Sequence, residues 1–68
     1  MEKIIIRDEF IRLDQFLKFI SEVSSGGEAK MMILEGNVIV NGEIAHQRGK
    51  KIRKDDIVEI NGNEYIVE

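Results

Sequence analysis

Apolar and polar positions change period several times along the chain. Lys3 to Ile6 is a short β-branched run that suits an N-terminal strand. Leu13, Phe16, Leu17 and Ile20 then recur at helical spacing, with Arg12 and Gln15 on one flank and Asp14 and Lys18 on the other. This predicts a helix from about Glu9 to Glu22, in which Asp14 and Lys18 form an i,i+4 pair worth roughly a few tenths of a kcal/mol. The stretch SSGGEAK at 24–30 breaks that helix and starts another, because Ser25 followed by Glu28 has capping-box spacing. Ala29, Met32 and Ile33 supply the second helix's buried face, Met31 and Met32 read as pliable core filler, and Gly36 provides a left-handed residue to end it. Beyond Gly36 the pattern is extended: Val38 and Val40 alternate, then Asn41-Gly42 gives a tight-turn signal. Val58 and Ile60, the turn Asn61-Gly62-Asn63, then Tyr65 and Val67 predict a C-terminal hairpin. The expected order is strand, helix, helix, strand, basic loop and hairpin, in a single α+β domain over residues 1–68.

At 68 residues there is room for one small core and none for a second catalytic domain. The chain has no cysteine, so neither a disulfide nor a thiolate metal site staples the fold, and it must hold together by packing. Its longest apolar runs are a few residues, too short to span a bilayer, and MEKIII lacks the features of a secretory signal. A cytoplasmic protein is expected.

Charge adds what periodicity does not show. The formal net charge is -3, yet residues 48–54, RGKKIRK, hold five of the ten Lys and Arg residues and no acid. The five acids of residues 55–68 follow at once, with no further base. A polyanion within about one Debye length, roughly 8–10 Å, senses that local island more than the average charge, so an acidic pI does not exclude nucleic acid. Read by charge alone, the run is equally a solvated basic loop balanced by the acids behind it.

Catalytic chemistry has little to work with. There is one histidine, His46, and no clustered metal-ligand pattern or nucleophile with a partnered base, so no enzyme activity, metal or cofactor is expected. Asp55 and Asp56 are neighbours whose side chains point apart on a turn or strand, which reads as solvent exposure. The pair Gly26-Gly27 lacks the spacing of a P-loop or a dinucleotide fingerprint.

Taken together and in order, RLDQFL at 12–17, SSGGEAK at 24–30, LEGNVIVNGE at 34–43 and DDIVEI at 55–60 resemble the RNA-binding domain named after ribosomal small-subunit protein four. This is the S-four domain, or alpha-L RNA-binding motif. The match covers roughly residues 10–60 and looks most like the small free-standing bacterial members. The resemblance implies two short N-terminal helices packed on a small, mainly antiparallel sheet, and one RNA-facing surface made from the helices and the loop after Val40-Asn41-Gly42. It nominates Arg12, Lys30, Arg48, Lys50, Lys51 and Arg53 as side-chain contacts. Many members carry an arginine just after the serine that opens the second helix, whereas this chain has Gly26-Gly27. There Ser25, Gly26 and Gly27 offer backbone N–H groups to a phosphate. The Gly-Asp common before the last strand is replaced by Asp55-Asp56.

The function so implied is non-catalytic binding of structured RNA, ribosomal RNA or a ribosomal assembly intermediate, with a ribosomal or RNA-processing protein as a further partner and no membrane. The competing reading is a protein-interaction adaptor whose basic loop docks on an acidic partner. Phe19 lies beside Arg12 on the helical wheel and either stacks on an unpaired base or completes the core against a terminal strand. His46 reads as loop surface, and Ile39 as an exposed apolar position that favours weak association.

Overall fold

The structure, a computed structural model, describes residues 1–68. In chain order its elements are β1 (Glu2–Ile4), β2 (Phe10–Arg12), α1 (Leu13–Phe19), α2 (Gly26–Leu34), β3 (Val38–Val40), β4 (Glu43–Ile44), β5 (Lys51–Arg53), β6 (Ile57–Ile60) and β7 (Asn63–Val67). Five strands make one sheet in the order β1-β7-β6-β3-β4, and β2 with β5 makes a separate antiparallel ribbon. The large sheet is antiparallel except where β1 runs parallel to β7. The chain is thus a small α+β fold with two helices and a mainly antiparallel sheet.

Both Asn-Gly signals build hairpins. Asn41 and Gly42 have φ of 51° and 83°, and Asn61 and Gly62 have 50° and 83°, the positive pair that a two-residue loop between twisted strands requires. They join β3 to β4 and β6 to β7. On the inner face Ile4, Val38, Val40, Val58, Ile60, Tyr65 and Val67 are buried with Leu13, Phe16, Leu17, Ala29 and Ile33 of the helices. Phe16 meets Tyr65 edge-on, with ring centroids 6.1 Å apart and planes at 82°, which fastens α1 to β7.

The first helix is shorter than its apolar period predicts. Phe10 to Arg12 is strand, in register with β5: Phe10 opposite Arg53, Ile11 opposite Ile52, and Arg12 opposite Lys51. Helix begins only at Leu13 and ends by Ile20, because Ser21 turns left-handed at φ 63° while the Glu22 N–H donates back to the Leu17 carbonyl at 3.0 Å. The second helix behaves as expected: Ser25 Oγ accepts from the Glu28 N–H at 3.2 Å, and Gly36, at φ 77°, follows its end. The reciprocal half of the capping box is absent, because the Glu28 carboxylate takes the Ser24 hydroxyl instead. Strand β1 covers Glu2–Ile4, not Lys3 to Ile6, and Ile5 is exposed.

Three side chains depart from expectation. Asp14 pairs with Arg12, Oδ2 to Nη2 at 3.2 Å, and not with Lys18; it is buried, and its Oδ1 accepts the Gln15 N–H at 2.9 Å. Met31 is 56% exposed and fills no core space, whereas Met32 packs against the core. Asp56 is also more than a solvated acid. Its carboxylate accepts the Arg53 N–H at 2.7 Å and the Asn41 side-chain amide at 3.0 Å, while Asn41 Oδ1 accepts the Ile57 N–H. These bonds tie the turn after β3 to the end of β5.

Candidate nucleic-acid interface

Residues 48–54 divide into a short loop and a strand. Lys51, Ile52 and Arg53 alternate exposed, buried, exposed, with Ile52 fully enclosed. Ile52 faces Ile11 across the ribbon, so the period of two places Phe10, Arg12, Lys51 and Arg53 together on the other face. Lys51 Nζ lies 4.8 Å and the Arg53 guanidinium carbon 5.9 Å from the centre of the Phe10 ring, and cation–π attraction of this kind holds cations over an aromatic face.

The loop before β5 is fastened by the start of α1. The Leu13 N–H donates to the Lys50 carbonyl at 2.8 Å and the Asp14 N–H to the Arg48 carbonyl at 2.9 Å. These are N–H groups that a helix start leaves without intrahelical partners, and here the basic loop satisfies them. The N-terminus of α1 is therefore committed to the chain itself, and what α1 contributes to the cationic surface is the position it gives Arg12. The Arg12 guanidinium rests against Gly49, 3.6 Å from where a Cβ would stand. A Cβ at Gly49 would meet it at ordinary van der Waals distance, so space does not demand glycine there. The Arg12 side chain remains 53% exposed although its partner Asp14 is buried, so solvent screens the pair from the arginine side.

A second cluster sits where the loop meets α2. Lys30, Ile33 and Leu34 of α2 line a cleft of about 150 Å³ with His46 and Arg48. Leu34 is 64% exposed, leaving an apolar patch between cationic side chains. Gly49 links Arg48 to Lys50 along the chain, so the cleft and the β2–β5 ribbon are contiguous through the loop. The structure thus brings together Arg12, Lys51 and Arg53 on one strand face and Lys30 with Arg48 at the α2 cleft, while exposed Lys50 borders a pocket with Glu43, Ile44 and His46.

Ser25, Gly26 and Gly27 stand apart from that arrangement. Ser25 and Gly27 line a groove of about 490 Å³ with Val23, Met31, Met32, Asn37 and the acids Glu28 and Glu35. Glu28 occupies the first turn of α2, where the helix dipole favours an anion, and competes there with a phosphate. Neither glycine is required by space: a Cβ at Gly26 meets nothing within 4 Å, and one at Gly27 meets only Ser25 Oγ at 3.8 Å.

Charge counting did not single out Phe10 or Leu34. Phe10 lies two residues before Arg12, the strand spacing that puts them on one face, but the helical reading of that stretch hid it. Phe19 is 61% exposed and completes no core. No group of three or more His, Asp or Glu side chains converges in a way that could hold a metal ion, and no helix is long and apolar enough to cross a membrane.

Comparison with known proteins supplies the family. The family model described as S4 domain matches residues 4–68. The chain belongs to the S4 domain family. This S4 domain is 46% identical over 57 residues to the probable ribosome maturation protein RlbA of Bacillus subtilis, the match covering 84% of the chain and 80% of that protein. It is 48% identical over 48 residues to an uncharacterized RNA pseudouridine synthase of Aquifex aeolicus, of which it spans only 19%. Among solved structures it is similar to the 30S ribosomal protein S4e of Thermoplasma acidophilum, with a TM-score of 0.65 and 23% identity. That match covers 88% of this chain and 32% of the other, and it shows a shared fold.

Proposed function

We propose that this S4 domain binds structured RNA without catalysing a reaction on it, and that the RNA is ribosomal RNA or an assembly intermediate of the ribosome in a bacterial cytoplasm. The observation that carries the reading is the β2–β5 ribbon. Its pairing places Arg12, Lys51 and Arg53 on one face while Ile11 and Ile52 hold the other against the protein. A strand pinned by a buried side chain presents its cations at fixed spacing, which suits reading the shape of a phosphate backbone. Arg12 and Arg53 bridge phosphate oxygens, Lys51, Lys50 and Lys30 act as point charges, and Arg48 contacts the strand at the α2 cleft. In this reading the two helices with the loop after β3 are the alpha-L arrangement, and Ser25, Gly26 and Gly27 contribute backbone N–H groups at its margin.

The likeness to a protein whose name is ribosome maturation protein supports the choice of RNA.

The test is capture from a bacterial lysate with wild-type protein and with Lys51→Ala/Arg53→Ala, each with and without ribonuclease. Ribosomal RNA is expected with the wild type and is lost in the variant. An acidic protein retained after ribonuclease and lost in the same variant would replace the RNA reading with the adaptor.

A further inference from the structure

The outer face of the five-stranded sheet has no helix on it and a composition unlike the rest of the surface. Strand alternation sends Ile39, Ile57 and Ile66 outward, away from their buried neighbours, and Ile44 of the edge strand stands opposite Ile39. Ile6, Ile11, Ile20 and Met32 are the half-buried apolar residues that pack against the core; Ile39, Ile57 and Ile66 do not. Among these isoleucines lies a pair of like charges. Glu59 of β6 is directly opposite Glu64 of β7, and like charges at paired positions destabilise a sheet. The two ion pairs of the chain are Lys3 with Glu68 and Arg12 with Asp14, so neither glutamate has a cation partner. Lys3, the cation of this face, sits at the β1 edge and is already engaged with Glu68 at 3.9 Å.

Ile39, Ile57, Glu59 and Glu64 together with the Asn41-Gly42 turn line a groove of about 370 Å³. An apolar floor with two unpaired carboxylates repels a phosphate backbone and attracts a cation carried on an apolar stem. Lysine and arginine side chains have that construction. From the groove, its unpartnered acids and its separation from the cationic ribbon, we infer that the outer face of the sheet is a docking surface for a basic segment of another protein, in which lysine or arginine alternates with aliphatic residues. The basic side chains relieve the repulsion between Glu59 and Glu64, and the aliphatic ones cover Ile39 and Ile57. One chain of this size then carries an RNA-facing side and a protein-facing side, and the second does not depend on the first.

The experiment is a titration of ¹⁵N-labelled full-length protein, without RNA, with a short peptide alternating lysine and isoleucine, compared with oligolysine of the same charge. Amide shifts confined to β3, β6 and β7, with at least about tenfold tighter binding of the alternating peptide, a gap that corresponds to burying a few aliphatic groups, are expected. Glu59→Gln/Glu64→Gln is expected to weaken binding of the alternating peptide and to remove its amide shifts from β3, β6 and β7, while melting no lower than the wild type, because the substitution removes a repulsion. Equal binding of the two peptides, shifts spread over all acidic faces, or binding unchanged in the double variant would each overturn the inference as general charge attraction. Shifts in the same amides on raising the protein concentration alone would overturn it in favour of a second copy of the chain.

Discussion

Ile52→Ala attacks the ribbon without touching a charge. The side chain is wholly enclosed, is flanked by exposed Lys51 and Arg53, and faces Ile11 across the β2–β5 pairing. Truncation removes the carbons beyond Cβ, each worth about 0.8 kcal/mol of burial. With the cavity left behind, the cost is expected at about 2–5 kcal/mol, whereas Ile52→Val should cost only about 0.5–1.5 kcal/mol. A domain of this length has roughly 3–10 kcal/mol of stability in total, so alanine uses a large part of it and valine does not. Urea unfolding followed by far-ultraviolet circular dichroism reads the difference. At a slope of about 1 kcal/mol per molar, the midpoint should fall by at least about 2 M for alanine. RNA affinity should survive in the valine variant. An alanine midpoint within about 0.3 M of the wild type would refute the reasoning, because a solvated loop tolerates that truncation and a pinned strand does not.

Other outcomes follow from the same geometry. Asp14→Asn keeps the oxygen that accepts the Gln15 N–H but removes the charge beside Arg12; RNA binding by filter retention should tighten by up to about fivefold, consistent with a surface pair worth up to about 1 kcal/mol. Gly26→Arg places a side chain in open space at the start of α2, where a helix-propensity gain of up to about 1 kcal/mol is offset by the dipole's disfavour of a cation, so the melting temperature should hold while RNA affinity increases. The Tyr65 phenol is held above its ordinary value of 10.0, first by burial and then by Glu22, whose carboxylate accepts its hydroxyl at 3.1 Å. The folded state thus keeps a proton that the unfolded chain releases. This contribution is complete below pH 10 and is lost as pH rises through the folded value, so Tyr65→Phe should flatten the alkaline limb of a stability-against-pH curve.

Much of the fold was legible because its signals are local. Both Asn-Gly turns, the cap at Ser25 and the stop at Gly36 each depend on a few adjacent residues, and each appears where the pattern put it. The pairing of Phe10–Arg12 with Lys51–Arg53 was not legible, because nothing nearby in the chain specifies it. Phe10 and Ile11 continue the spacing of a helix, and only the distant Ile52 makes them a strand. The alternation in Lys51, Ile52 and Arg53 was nonetheless a strand signal within the basic run, overshadowed by its charge. Asp14 similarly had two cations within reach in sequence, and burial beside the loop selected Arg12.

The candidate site was legible in kind and less so in geometry. Charge clustering picked out Arg48, Lys50, Lys51, Arg53 and Lys54, of which the ribbon sets Lys51 and Arg53 beside Arg12 and the α2 cleft sets Arg48 beside Lys30. It could not show that the loop's carbonyls cap α1, since those bonds involve backbone atoms that every residue has. Ser25, Gly26 and Gly27 came from the resemblance and not from charge, and Ser25 and Gly27 border a groove whose charges are Glu28 and Glu35.

The most direct measurement is the salt dependence of binding to ribosomal RNA fragments by wild type and by Lys51→Ala/Arg53→Ala, with the variant's fold checked by circular dichroism. Three to four neutralised phosphates predict that wild-type affinity falls about 20- to 150-fold between 50 and 200 mM salt, and that the variant's slope is shallower by about two contacts. A wild-type slope that the double substitution leaves unchanged, or no binding even at low salt, would contradict the claim that the β2–β5 ribbon holds RNA.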